Sequence, residues 1–154
     1  MANTYTQLYI HIVFTVKNRE SIIPKKHKEE LHQYTTGIIQ KRNHKLLAIN
    51  FMPDHVHIFI GYKPSQPLPD LVRDIKANTS KFINEKRWIT GHFSWQLGYG
   101  AFSYSKSGID NVIKYIKNQE IHHKKSSFKE EYLKLLNKFE VDYDEQYLFN
   151  WIDK

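Results

Sequence analysis

Hydrophobic residues from Leu8 to Val16 follow a period of two. Leu8, Ile10, Ile12, Phe14 and Val16 alternate with Tyr9, His11, Val13 and Thr15, which predicts a strand with one strongly apolar face. The period then lengthens. After Pro24, the residues Leu31, Tyr34, Ile38 and Ile39 recur at helical spacing along a segment rich in lysine and glutamate, predicting a helix that ends near Arg42. Leu46 to Met52 and His55 to Tyr62 read as two strands joined at Pro53-Asp54, close enough for a hairpin. Pro67 and Pro69 open a second helix with the stripe Leu71, Val72, Ile75, Phe82 and Ile83, ending near Arg87. Residues 88–100, rich in Trp, Gly and Tyr, read as an irregular connection, and Ala101 to Ser105 as a short strand. A late helix from Ser107 or Gly108 to about Lys124 buries Ile109, Val112, Ile113 and Ile116, and a final helix near Phe128 to Phe139 shows Phe128, Tyr132, Leu135, Leu136 and Phe139 on one side.

The order strand, helix, strand, strand, helix, strand predicts an α+β fold. The expected form is a ferredoxin-like (RRM-like) antiparallel sheet with helices on one face, followed by the late helix and a C-terminal helical extension. With 154 residues, 40% of them hydrophobic, one domain is expected over 1–154, with a core of about 5–125 and an extension of about 126–154. The apolar cluster Tyr147, Leu148, Phe149, Trp151 and Ile152 is expected to dock on the body or on a partner subunit.

Composition narrows the chemistry. Cysteine is absent, which excludes disulfides, thiolate metal sites and a cysteine nucleophile. No apolar run reaches the roughly 18 residues of a membrane span, and Met1 to Tyr5 lack a secretory pattern, so a cytoplasmic protein without membrane contact is expected. The net charge of +7 conceals an asymmetry: residues 140–154 carry five acids against Lys154, leaving +11 on the rest. Such a body suits a polyanion, whose counterions it would displace.

Two short patterns supply candidate chemistry. In His55-Val56-His57, side chains two apart on a strand project together, so both imidazoles lie on one face and can converge on a cation. A lone pair of this kind is more often two hydrogen-bonded sheet residues, so it needs support from elsewhere. Tyr115 and Gln119 stand four apart on the late helix, with His122 three further on, and so share one stripe. A phenol there can serve as a nucleophile toward a phosphodiester.

Together these patterns resemble the single-tyrosine HUH transposases of the insertion-sequence 200/605 kind. His55-Val56-His57 matches that family's paired histidines, and Tyr115-Ile116-Lys117-Asn118-Gln119 its late helix. Met52-Pro53-Asp54, Trp95-Gln96, Gly98-Tyr99-Gly100-Ala101-Phe102-Ser103 and His122-His123 extend the likeness over roughly residues 5–125. The resemblance implies a homodimer, with active sites that can be shared between subunits. It implies that His55, His57 and Gln119 hold Mg²⁺ or Mn²⁺. It further implies that Tyr115 attacks hairpin-bearing single-stranded DNA, leaving a 5′-phosphotyrosine and a free 3′-hydroxyl. By donor softness alone, zinc or manganese would suit two imidazoles and an amide as well as magnesium. A phenol ordinarily titrates near about 10, and no residue in the sequence stands out as its base.

For DNA, Lys76, Lys81, Arg87, Lys114 and Lys117 are expected on helices flanking the site, Trp95 and Tyr99 as platforms for bases of a hairpin end, and His122 as a DNA contact or a neighbour of the ligands. His123 is, with His122, a rival ligand. Two other readings compete. One is a non-catalytic ferredoxin-like module binding nucleic acid on an open sheet face. The other is a small metal-dependent hydrolase using His55, His57 and His122.

Overall fold

The computed structural model describes residues 4–20, 22–123 and 126–144. Four strands, β1 (Tyr9–Thr15), β2 (Lys45–Phe51), β3 (His55–Gly61) and β4 (Gly100–Tyr104), form one sheet in the order β2-β3-β1-β4 with every neighbouring pair antiparallel. This is the ferredoxin-like order expected from the alternation of periods. Helices α1 (Lys28–Lys41) and α2 (Leu68–Lys86) cover one face. Their Leu31, Ile38, Ile39, Leu71, Val72, Ile75 and Ile83 pack on Ile12, Phe14, Val56, Ile58 and Ile60 in one continuous core. The even spacing of those strand residues is what sends them all to the same side.

The opposite face is covered by the late helix and the helical extension expected after the sheet. Helix α3 (Ile109–Lys117) lays Val112 and Ile116 on Ala48 and Phe59, and α5 (Phe128–Lys138) lays Phe128, Tyr132, Leu135 and Leu136 on Val13 and Phe102. The close approach of α5 to β4 depends on Gly100, where an added Cβ would stand 2.5 Å from the Tyr132 hydroxyl oxygen. A full capping box, with Ser127 and Glu130 exchanging hydrogen bonds, starts α5. An open sheet face for stacking bases, which a purely binding module would use, is therefore not present among the described residues.

Between α3 and the short α4 (Gln119–His122) the late helix is broken at Asn118, whose φ and ψ are −95° and 19°. The single helix expected to about Lys124 is thus two pieces. Residues 88–99 are irregular as expected but not superficial: Phe93 and Trp95 are buried in the core, and Val16 pairs with Trp95 in an isolated bridge. The apolar cluster from Tyr147 to Ile152 lies outside the described residues.

Candidate functional site

Alternation along β3 sends Val56, Ile58 and Ile60 into the core under α1 and α2, and so sends His55 and His57 to the other face, beneath α3, α4 and α5. Both imidazoles are buried. Each has one nitrogen engaged at its outer side: His55 Nδ1 lies 2.6 Å from Asp54 Oδ1, and His57 Nδ1 lies 2.8 Å from His11 Nε2. That leaves both Nε2 atoms facing inward, and the outer partners fix ring orientation in the way that supports metal-binding histidines elsewhere.

The break at Asn118 turns the next residues toward the same point. Gln119 is fully buried, with Oε1 3.3 Å from His55 Nε2 and 2.9 Å from His123 Nε2. His123 Nδ1 is 3.0 Å from the Ser126 carbonyl oxygen, so this third imidazole also presents Nε2 to the centre. From the opposite side α5 contributes Glu131, only 2% exposed. Its Oε1 is 3.2 Å from His57 Nε2, 3.0 Å from His123 Nε2 and 3.9 Å from His55 Nε2. Its Oε2 accepts hydrogen bonds from the Tyr115 hydroxyl and, at 2.9 Å, from Gln119 Nε2. The candidate ligand atoms of His55, His57, His123 and Glu131 all lie within 4.8 Å of one another.

Burial holds the imidazoles of the cluster in their neutral form. Burial pushes the His57 imidazole well below its usual range, helped by the nearby His55, His123 and His122, and burial likewise holds His11 down, with His57 adding to it. His123 is lowered to about 4, chiefly by burial. Neutral imidazoles offer lone pairs, which is what a cation requires. Burial raises the Glu131 carboxyl to about 7, against the pull of His55. A set of imidazoles, an amide oxygen and a carboxylate fits a divalent cation, and the third imidazole moves the set further from the all-oxygen shell that magnesium prefers.

Tyr115 stands at the edge of this cluster, its ring centroid 5.7 Å from that of His57 within the same chain and 5.4 Å from that of His122. A groove of about 400 Å³ between α3 and α5 opens onto it, lined in part by Tyr104, His122, Glu131, Lys134 and Lys138. His122 is half-buried at the groove, its Nε2 3.5 Å from Glu131 Oε2 but without a hydrogen bond among the described residues.

Of the expected DNA contacts, those on α2 are placed differently. Helix α2 packs on the face away from the histidines, so Lys76, Lys81 and Arg87 do not flank the site. Lys76 is a strut: its Nζ donates to the Gln96 and Gly98 carbonyls at 2.8 and 2.6 Å, and burial lowers it to about 8. Trp95 cannot offer a face to a base, because its ring is buried edge-on against Phe14 and Phe93 and its Nε1 donates to Thr79 Oγ1 at 2.9 Å. Tyr99 is half-buried against the main core. Lys114 and Lys117 are exposed on α3, the helix that carries Tyr115. The sequence reading missed Glu131, His11, Lys134 and Lys138. The helical stripe of α5 did place Tyr132 and Leu135 inward, and Glu131 stands beside that stripe, which was the one available signal.

A ferredoxin-like sheet whose histidine-bearing face is closed by helices over a buried cluster of imidazoles and a carboxylate defines an α+β protein with a candidate metal centre. Residues 4–119 match the family model described as "Transposase IS200 like", and the chain belongs to that family. It is 26% identical over 120 residues to the ISDra2 transposase TnpA of Deinococcus radiodurans, covering 73% of this chain and 84% of that protein. Its fold is similar to a crystal structure provisionally described as a transposase from Deinococcus radiodurans R1, at a TM-score of 0.60 and 22% identity over 77% of this chain and 95% of that one. It is also similar, at a TM-score of 0.60 and 14% identity over 80% of this chain and 73% of the other, to a REP-associated tyrosine transposase bound to a REP hairpin. No helix among the described residues is long and apolar enough to cross a membrane.

Proposed function

We propose that this transposase cleaves and rejoins single-stranded DNA through a covalent 5′-phosphotyrosine link at Tyr115, at a divalent cation held by His55, His57 and Gln119 with His123 beside them. One observation carries the reading: the Tyr115 hydroxyl hydrogen-bonds the carboxylate that also contacts His57 and His123. The phenol and the paired imidazoles are thus linked through one carboxylate, which supports their acting on one phosphate group.

The chain's own residues account for most of the chemistry. The groove between α3 and α5 admits an unpaired strand to Tyr115, with Lys134 and Lys138 on its wall to meet phosphates. The Tyr115 oxygen attacks phosphorus as its hydroxyl proton is lost to solvent, the bond to the 3′ oxygen breaks, and that oxygen takes up a proton from solvent to leave as a free 3′-hydroxyl. Reversal at a different end restores a phosphodiester without an outside energy source. Asp54 and His11 keep the ligand rings in place. When bound, Mg²⁺ or Mn²⁺ would act as a Lewis acid on a non-bridging oxygen, and the nitrogen-rich donors favour manganese. The substrate is a DNA end carrying a hairpin, and the working unit is a homodimer in the cytoplasm.

The test is a denaturing gel. Purified protein, Mn²⁺ and a hairpin-bearing single-stranded oligonucleotide should give a protein–DNA adduct that Tyr115→Phe lacks. An adduct that persists in that variant would remove Tyr115 from its role.

A further inference from the structure

Glu131 is an expensive residue to bury. A carboxylate taken out of water normally has a lysine or arginine beside it, because desolvation of an isolated charge costs several kcal/mol or more. The partners of Glu131 among the described residues are instead imidazoles, an amide and a phenol. No fixed positive charge is among them. Its neighbours on α5, Phe128, Tyr132 and Leu135, are buried and belong to the apolar cluster on Val13 and Phe102. The two oxygens also divide their partners. Oε1 looks at the three Nε2 atoms, and Oε2 looks at Tyr115 and the Gln119 amide. Glu131 lies outside residues 4–119, the span that matches the family model.

We propose that Glu131 joins the cation to the nucleophile: Oε1 is a metal ligand in addition to His55, His57 and Gln119, with His123 beside them, while Oε2 holds the Tyr115 hydroxyl. The cation then supplies the missing positive charge. The phenol's hydrogen is directed to Oε2, which leaves the oxygen's lone pairs free to face a phosphate entering from the α3–α5 groove. Metal binding and aim of the nucleophile are thereby coupled through one side chain. The inference rests on Tyr115 as nucleophile, and its failure can be told apart from failure of that reading.

The experiment measures Mn²⁺ binding to the DNA-free protein by calorimetry and by loss of the free-ion electron paramagnetic resonance signal. Wild type is compared with Glu131→Gln and Glu131→Asp. Glu131→Gln should weaken Mn²⁺ binding at least about tenfold, the scale on which groups supporting a metal site act, and Glu131→Asp should recover part of the loss. At saturating Mn²⁺, Glu131→Gln should still form adduct more slowly than wild type, separating aim from affinity. Should the Gln variant fail to fold, wild type still decides the matter: Mn²⁺ should perturb tyrosine absorbance in a way that Tyr115→Phe abolishes. Unchanged Mn²⁺ affinity in Glu131→Gln, faster adduct formation in it, or no Tyr115-dependent perturbation would overturn the proposal and make the carboxylate a plug. An adduct in Tyr115→Phe would instead sink the nucleophile while leaving the Mn²⁺ affinities as a separate result.

Discussion

The two faces of one sheet have been put to different uses. On the side of α1 and α2, β1 and β3 present Ile12, Phe14, Val56, Ile58 and Ile60. On the side of α3 and α5 the same two strands present His11, Val13, Thr15, His55, His57 and Phe59, and the buried polar atoms His11 Nδ1 and Thr15 Oγ1 have no hydrogen-bond partner among the described residues. The first face is what hydrophobic burial selects. The second carries polar groups that burial opposes, and two of them, His55 and His57, belong with His123 and Glu131 to a group that could hold a metal ion.

Substitutions placed on the two faces in turn would break this contrast if it is wrong. Tyr115→Phe should eliminate the covalent adduct entirely while leaving thermal unfolding close to wild type. Ile58→Ala should do the reverse: unfolding free energy falls by about 2–5 kcal/mol, the usual cost of emptying a core position, while adduct formed per folded molecule is retained. Urea denaturation and gel-shift of the adduct read both effects. If Ile58→Ala removed chemistry at full stability, the division of labour between the faces would be lost.

A smaller effect sharpens the picture at the outer side of the ligands. Asp54 is 2.6 Å from His55 Nδ1, so Asp54→Asn should weaken Mn²⁺ binding by roughly 10- to 100-fold with little change in fold. Calorimetry checks this, and an unchanged affinity would mean that His55 is oriented by its packing on Phe128, 4.1 Å away between ring centroids. Smaller again is the groove. Removing Lys134 or Lys138 should lower the salt dependence of oligonucleotide binding by about 0.7 in the log–log slope for each phosphate no longer neutralised. Anisotropy titrations in Tyr115→Phe protein, where cleavage does not interfere, give that slope; Lys81→Ala, on the far face, should leave it alone.

How much of this could be read from the sequence follows from the same contrast. The apolar face was legible because a period of two in β1 and β3 and the stripes of α1 and α2 are local patterns, each interpretable by itself. The His55 and His57 pair was legible for the same reason. Glu131 was not, because its meaning depends on the packing of α5 across the sheet, which Gly100 and Tyr132 make possible at long range. The burial of Trp95 was not legible because a tryptophan in a Gly-rich connection serves equally as a base platform or a loop anchor; its bridge to Val16 and its bond to Thr79 are long-range. The break at Asn118 was hidden by good helix formers on both sides.

The smallest expected effect tests whether the division between faces is as clean as the cores suggest. His32, on α1 beside the apolar face, accepts the backbone N–H of Phe51 through Nε2 at 3.1 Å, a bond that only the neutral imidazole can make. Burial, with Lys28 adding to it, lowers this imidazole to about 4, whereas in the unfolded chain it titrates near 6.5. Between those two values the unfolded chain binds the extra proton and the folded one does not. Stability from this group is therefore complete above about pH 6.5 and is lost progressively as pH falls toward 4. His32→Gln keeps an acceptor without a titration, so its melting temperature should fall less steeply over that window than wild type, measured with chelator present to keep the His57 and His123 contribution the same in both. Parallel slopes would mean that His32 adds nothing to acid sensitivity and that it arises from other groups, those of the opposite face among them.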